Sequence, residues 1–131
     1  MRKVVNAAII HDNRILLVRK KQTWIFPGGK PEGGESDINC LERELAEEIP
    51  DKRLGKLTIH DFYDSFTGKS PHMGDEVEVF VYFASFENFV EHPETAREIA
   101  EAKWVDDFSN YKLAEMLPKL VNSLKEKGYL K

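Results

Sequence analysis
The chain is poor in cysteine: Cys40 is the only one, so no internal disulfide can form and no cysteine-based metal cluster can assemble. It lies in a helical pattern with no histidine beside it to activate a thiolate, which suits a small packing residue better than a reactive one. Apolar runs are short, and none approaches the roughly 20 residues that a membrane-crossing helix needs, so no membrane partner is expected. A basic excess is missing too. With 19 Lys and Arg against 23 Asp and Glu the net charge is −4, which argues against stable nucleic-acid binding and leaves phosphate to local basic patches. The four histidines, His11, His60, His72 and His92, are scattered and show no metal-ligand spacing. There are no internal repeats and no low-complexity stretch. Met1-Arg2-Lys3 leads straight into a strand pattern rather than a signal-peptide core, so a cytoplasmic location is expected.

What is present is an ordinary globular composition, 41% hydrophobic and 32% charged over 131 residues, a length that suits one domain, 1–131. Residues 4–10 and 14–18 are β-rich and flank His11-Asp12-Asn13, which reads as a hairpin turn. A third short strand is expected at 24–26. Residues 57–66 alternate imperfectly, 67–75 form a loop, and 77–86 form a strong strand with apolar residues on both faces, as in a sheet covered on both sides. A last short strand falls at 103–105. Residues 111–127 read as a helix with Leu113, Met116, Leu117, Leu120, Val121 and Leu124 on its apolar face, kinked or split at Pro118.

The chemistry is concentrated in one loop and one helix. Gly28-Gly29-Lys30-Pro31-Glu32-Gly33-Gly34-Glu35 precedes a helical stretch with Arg43-Glu44-Leu45-Ala46-Glu47-Glu48. At 3.6 residues per turn, Glu44, Glu47 and Glu48 fall within about 100° of arc, where like charges repel. Such a face is either a solvated acidic surface or a site for a hard cation, and oxygen ligands of this kind suit Mg²⁺ or Mn²⁺. Ile38, Leu41, Leu45 and Ile49 form an apolar stripe that seats the helix and aims the glutamates outward. Ser36 can cap its start, and Pro50 ends it.

These residues resemble the signature of the Nudix hydrolases, in which a glycine is followed after five residues by Glu, then after seven by Arg-Glu, an aliphatic residue, one residue and Glu-Glu. Gly29, Glu35, Arg43, Glu44, Leu45, Glu47 and Glu48 stand at the required intervals. The match breaks at the end, where Pro50 and Asp51 replace a glycine and an aliphatic residue. Trp24-Ile25-Phe26-Pro27-Gly28-Gly29-Lys30 and the segment from Glu98 to Val105 are similar to other parts of MutT-type members, so the resemblance covers most of the chain.

The resemblance implies an α/β/α sandwich with a mixed β-sheet between helices. It also implies metal-dependent hydrolysis of a nucleoside diphosphate linked to another group, such as a nucleoside triphosphate or a nucleotide sugar. A non-catalytic nucleotide-binding or regulatory module on the same fold is the alternative. Glu44, Glu47 and Glu48 would hold Mg²⁺ or Mn²⁺ with help from the Gly28 carbonyl, while Glu35 and Arg43 would orient them. Glu98 and Glu101 are later candidates for general base beside the motif glutamates, with Glu98 preferred. Arg19 and Lys30 are candidates for phosphate contact and Trp24 for stacking on a base, with Lys20, Tyr63, Phe66, Tyr82 and Trp104 as further possibilities and His72 as a loop residue bordering the substrate. The expected partner is a nucleotide or nucleotide derivative, bound by a monomer or homodimer.

Overall fold
The computed structural model describes residues 1–131. Strands β1 (Arg2–Ala8) and β2 (Ile10–His11) lead into β3 (Arg14–Lys20), β4 (Thr23–Ile25) and a two-residue β5 (Gly28–Gly29). Helix α1 (Asp37–Glu48) and a single 3-10 turn (Lys52–Leu54) follow, then the long β6 (Leu57–Lys69), β7 (Glu76–Phe86), β8 (Ile99–Val105) and helix α2 (Leu117–Glu126). The β2–β3 turn holds Asp12 at φ 48° and Asn13 at φ 61°, two residue types that tolerate the left-handed region a tight hairpin needs.

The strands form a mixed sheet in the order β5-β1-β7-β6 and a second, antiparallel sheet in which β3 pairs with β2, β4 and β8. Among the strands, parallel pairing is confined to β1 and β7, in register from Arg2 opposite Val77 to Ala8 opposite Phe83. The alternation of β7 sends Val77, Val79 and Val81 into one apolar cluster, where Leu117, Leu120, Val121 and Leu124 of α2 close over them. Val5, Ala7, Leu16 and Val18 fill a second cluster, sealed by Cys40, Leu41 and Leu45 of α1. The helices therefore cover opposite cores of an α/β/α sandwich. Each fully buried leucine in these seams is worth about 1.5–3 kcal/mol of transfer free energy.

Several expectations need correction. Residues 111–116 are not helical: Trp24 N donates to Lys112 O and Ala114 N to Trp24 O, drawing this segment alongside β4. Pro118 then lies in the first turn of α2, where its missing N–H costs nothing, so it starts the helix instead of kinking it. Strand β6 runs on to Lys69, shortening the following loop, and β8 begins at Ile99 rather than residue 103. On α1, Ile38 is exposed and Cys40 takes its place in the core. No helix is long and apolar enough to cross a membrane.

Candidate active site
The start of α1 is fixed as its sequence suggests. Ser36 Oγ accepts from Asn39 N at 3.1 Å, and Asp37 in the first turn accepts from Lys3 Nζ at 2.7 Å and Tyr82 Oη at 2.5 Å. At the other end Ile49 N still donates to Leu45 O, and the chain leaves through Pro50.

Between these ends Arg43 gathers the acidic loop and helix. Its Nε and Nη2 take both oxygens of Glu35 at 2.8 and 2.9 Å, Nη2 also donates to Lys30 O at 3.1 Å, and Nη1 donates to Glu44 at 3.0 Å. Glu47 lies 3.6 Å from the same Nη1. The paired guanidinium and the Glu32 N–H hold the Glu35 carboxyl down at about 2, while Glu35 and Glu44 raise Arg43 further above its usual range.

Glu48 differs from the outward orientation expected of it: the residue is only 3% exposed. Seven residues, two helical turns, separate it from the buried Leu41, so it lies on the seated side of α1 and meets the glycine turn. Gly28 N donates to Glu48 Oε1 at 3.2 Å. Burial, then the adjoining Glu44 carboxyl and more weakly the charge of Glu98, push the Glu48 carboxyl up to about 9 against the pull of the Gly28 N–H. Gly28, at φ 145°, comes so close to β1 that a Cβ there would lie 2.0 Å from Val5 O. Cys40 is fully buried beneath this turn, its thiol donating to Gly29 O at 3.6 Å and pushed up to about 11 by burial, as befits packing.

Glu44, Glu48 and Glu98 line one cleft of about 280 Å³ together with Gly28, Gly29 and Lys30. Its other walls carry apolar residues, among them Phe26, Phe66, Val79 and Leu120, and a polar set of Arg2, Asn6, Lys20 and His72. Glu47 is not a lining residue; its side chain is turned to Arg43. Glu101 is also outside, paired with Arg19 and Lys103 at 3.6 Å each. Arg19 and Trp24 do not reach the cleft. They sit opposite each other on β3 and β4, the guanidinium 5.9 Å from the indole, with Trp24 packed in the core against Tyr111. Strand alternation gives the cleft their neighbours Lys20 and Ile25 instead.

His72 lines the cleft, with Nε2 3.3 Å from Lys20 O, and Arg2 holds the same loop through Asp75 at 3.0 and 3.1 Å. Arg2 and Asn6 escaped the sequence reading. The only signal for them is spacing: with Val4 they are alternate residues on one face of β1.

The donor set fits a hard divalent cation in chemistry: carboxylate oxygens, one of them buried and short of positive charge, beside a turn whose glycines admit close approach. No three acidic, histidine or cysteine side chains converge on one point as they stand, because Arg43 engages Glu44 and Glu47. Arg43 meets Glu44 at Oε1 and Glu47 at Oε2, which leaves a second oxygen on each for a cation.

The NUDIX domain family model matches residues 1–119. The mRNA-decapping enzyme subunit 2 of Saccharomyces cerevisiae is 31% identical over 107 residues, which is 79% of this chain but only 10% of that relative's length. The solution structure of the E. coli ORF135 protein is similar at a TM-score of 0.68 and 26% identity, covering 98% of this chain and 93% of that one. A NUDIX hydrolase from Nitrosomonas europaea shares the fold at a TM-score of 0.78 and 18% identity, over 96% and 89% of the two chains. The chain belongs to the NUDIX domain family, the Nudix hydrolases.

Proposed function
We propose that this chain, as a single catalytic domain over 1–131, hydrolyses a phosphoanhydride bond in a nucleoside diphosphate linked to another group, with Mg²⁺ or Mn²⁺ as cofactor. Nucleoside triphosphates and nucleotide sugars are the substrate classes. The observation that carries this reading is the shared cleft: Glu44, Glu48 and Glu98 line it with Gly28 and Lys30, and so do the apolar residues Phe26, Phe66, Val79 and Leu120.

Glu44, Glu47 and Glu48 with the Gly28 carbonyl would hold the divalent cation, which when bound would supply charge neutralisation at the phosphates and lower the pKa of water. The chain's own residues do the rest. Lys30 and Lys20 attract the phosphate oxygens, and Glu35 sets Arg43, which keeps Glu44 and Glu47 in place. Glu98 takes the proton as the water oxygen bonds to phosphorus. The anhydride P–O bond breaks, and its electron pair stays with the departing phosphate. Phe66 and the neighbouring apolar wall hold the nucleoside and exclude bulk water.

The test is product release measured with Mg²⁺ and again after chelation, across nucleoside triphosphates, nucleotide sugars and dinucleoside polyphosphates. Chelation-sensitive cleavage of one class supports the reading. Tight binding without turnover would instead make the chain a nucleotide-binding module.

A further inference from the structure
The loop that brings Glu98 to the cleft is tied to the exit of α1 at two points. Ala96 N donates to Glu48 O at 3.0 Å, and Glu94 N donates to Asp51 Oδ2 at 2.9 Å. Asp51 is the position where the Nudix signature asks for an aliphatic side chain. Here the Asp51 side chain is 2% exposed and accepts three more hydrogen bonds, from Arg53 N and Nε at 3.0 Å each and Arg53 Nη2 at 2.7 Å. Arg53 reaches on to His92 O at 3.4 Å, so the pair grips the loop at residues 92 and 94. Beyond the grip, Arg97 stands at φ 61° and Ile99 N closes a turn onto Ala96 O at 3.2 Å, with Glu98 inside it.

Glu98 shares its cleft with Glu44 and Glu48, and the turn that carries it is hydrogen-bonded to α1 only through these bonds at the helix exit. An aliphatic residue at position 51 could make none of these bonds. We propose that Asp51 is a positioning residue: with Arg53 it fixes the 94–99 turn to the end of α1 and so sets where Glu98 stands in the cleft. This rests on the proposed function, because it gives Glu98 a part in the reaction.

The test compares Asp51→Leu, Asp51→Asn, Glu98→Gln and the double variant Asp51→Leu/Glu98→Gln. Turnover is followed on the best substrate, and amide hydrogen exchange at residues 94 and 96. Asp51→Leu is expected to lower kcat at least about tenfold with KM within about twofold, and to speed exchange at both amides. Asp51→Asn keeps one acceptor oxygen for Glu94 and should fall between. If Asp51 acts through Glu98, the double variant is no slower than Glu98→Gln alone, whereas a merely structural role makes the losses multiply. Multiplying losses, or unchanged kcat and exchange in a folded variant, overturn the proposal. Should Asp51→Leu not fold, the same cycle with Asp51→Asn decides. If the wild type cleaves nothing in the panel, the proposed function fails, while unchanged exchange at 94 and 96 would separately refute the anchoring.

Discussion
Gly29 lies so close to Glu44 that a Cβ added to it would sit 2.4 Å from the carboxyl carbon. The first glycine of the signature is therefore a spacer for a carboxylate fifteen residues further on as much as a turn former. Gly29→Ala must displace the Glu44 side chain, whose free end can swing away at little conformational cost. We expect a loss of activity of about tenfold or more with a melting temperature within a few degrees of wild type. A variant of unchanged rate would show that the Glu44 position is immaterial.

Glu48→Gln separates the two demands on a buried acid. The amide keeps the shape and can still accept from Gly28 N, while removing a carboxyl that burial and Glu44 already make reluctant to ionise. The metal-free protein should be as stable as wild type on thermal unfolding. Activity with Mg²⁺ should fall by at least about 10–100-fold, since a neutral amide is a poor substitute for an anionic ligand. Full turnover by the folded variant would remove Glu48 from the cation site.

How far the site was legible follows from how local each part is. The cap at Ser36 and the Arg43 network are set by spacing within one loop and helix, and the sequence displays that spacing directly. Lys20 against Arg19 is another matter. Which of two adjacent residues faces the cleft depends on the register of β3 with β4 and β8, and a one-residue change exchanges them. Residues 111–116 carry apolar spacing fit for a helix, yet the bonds with Trp24 draw residues 112–114 alongside β4, and a turn at 115–116 leads into α2. Arg2 and Asn6 join the site because β1 pairs in parallel with β7 and antiparallel with β5, which sets Arg2 opposite Val77 and Asn6 opposite Gly28, contacts remote in sequence. Asp51 looked like a lapse in the signature because its partners, Arg53 and Glu94, flank a fold-dependent meeting of two segments.

The Glu35 and Arg43 pair makes a pH prediction. The Glu35 carboxyl is held down from the ordinary 4.5 to about 2, chiefly by the guanidinium and next by the Glu32 N–H. Between those values the unfolded chain binds a proton that the folded chain does not, so the pair's stabilising contribution is complete above about pH 4.5 and fades as pH falls toward 2. Acid unfolding of Glu35→Gln, followed by far-ultraviolet circular dichroism, should show a shallower dependence in this window than wild type. Parallel acid limbs for the two proteins would mean that the pair contributes nothing to folding.

Pro50 offers the complementary experiment at the helix exit. A glycine there in the signature would let the chain leave at positive φ, whereas Pro50 fixes φ near −65° and has no N–H to donate. The helix has already ended: Ile49 N donates to Leu45 O, and Ile49 itself has turned to φ −130° and ψ 67°. The carboxylates lie upstream, on a helix seated by Leu41 and Leu45, and the Glu48 carbonyl is held by Ala96. Pro50→Gly frees the unfolded chain and should cost roughly 1 kcal/mol of stability. The rate and the metal affinity should stay within about threefold of wild type, because the Asp51 bonds to Arg53 and Glu94 still fix the path beyond. A change beyond tenfold, roughly 1.4 kcal/mol, would mean that the proline ring itself shapes the cleft and that Asp51 cannot hold the exit alone.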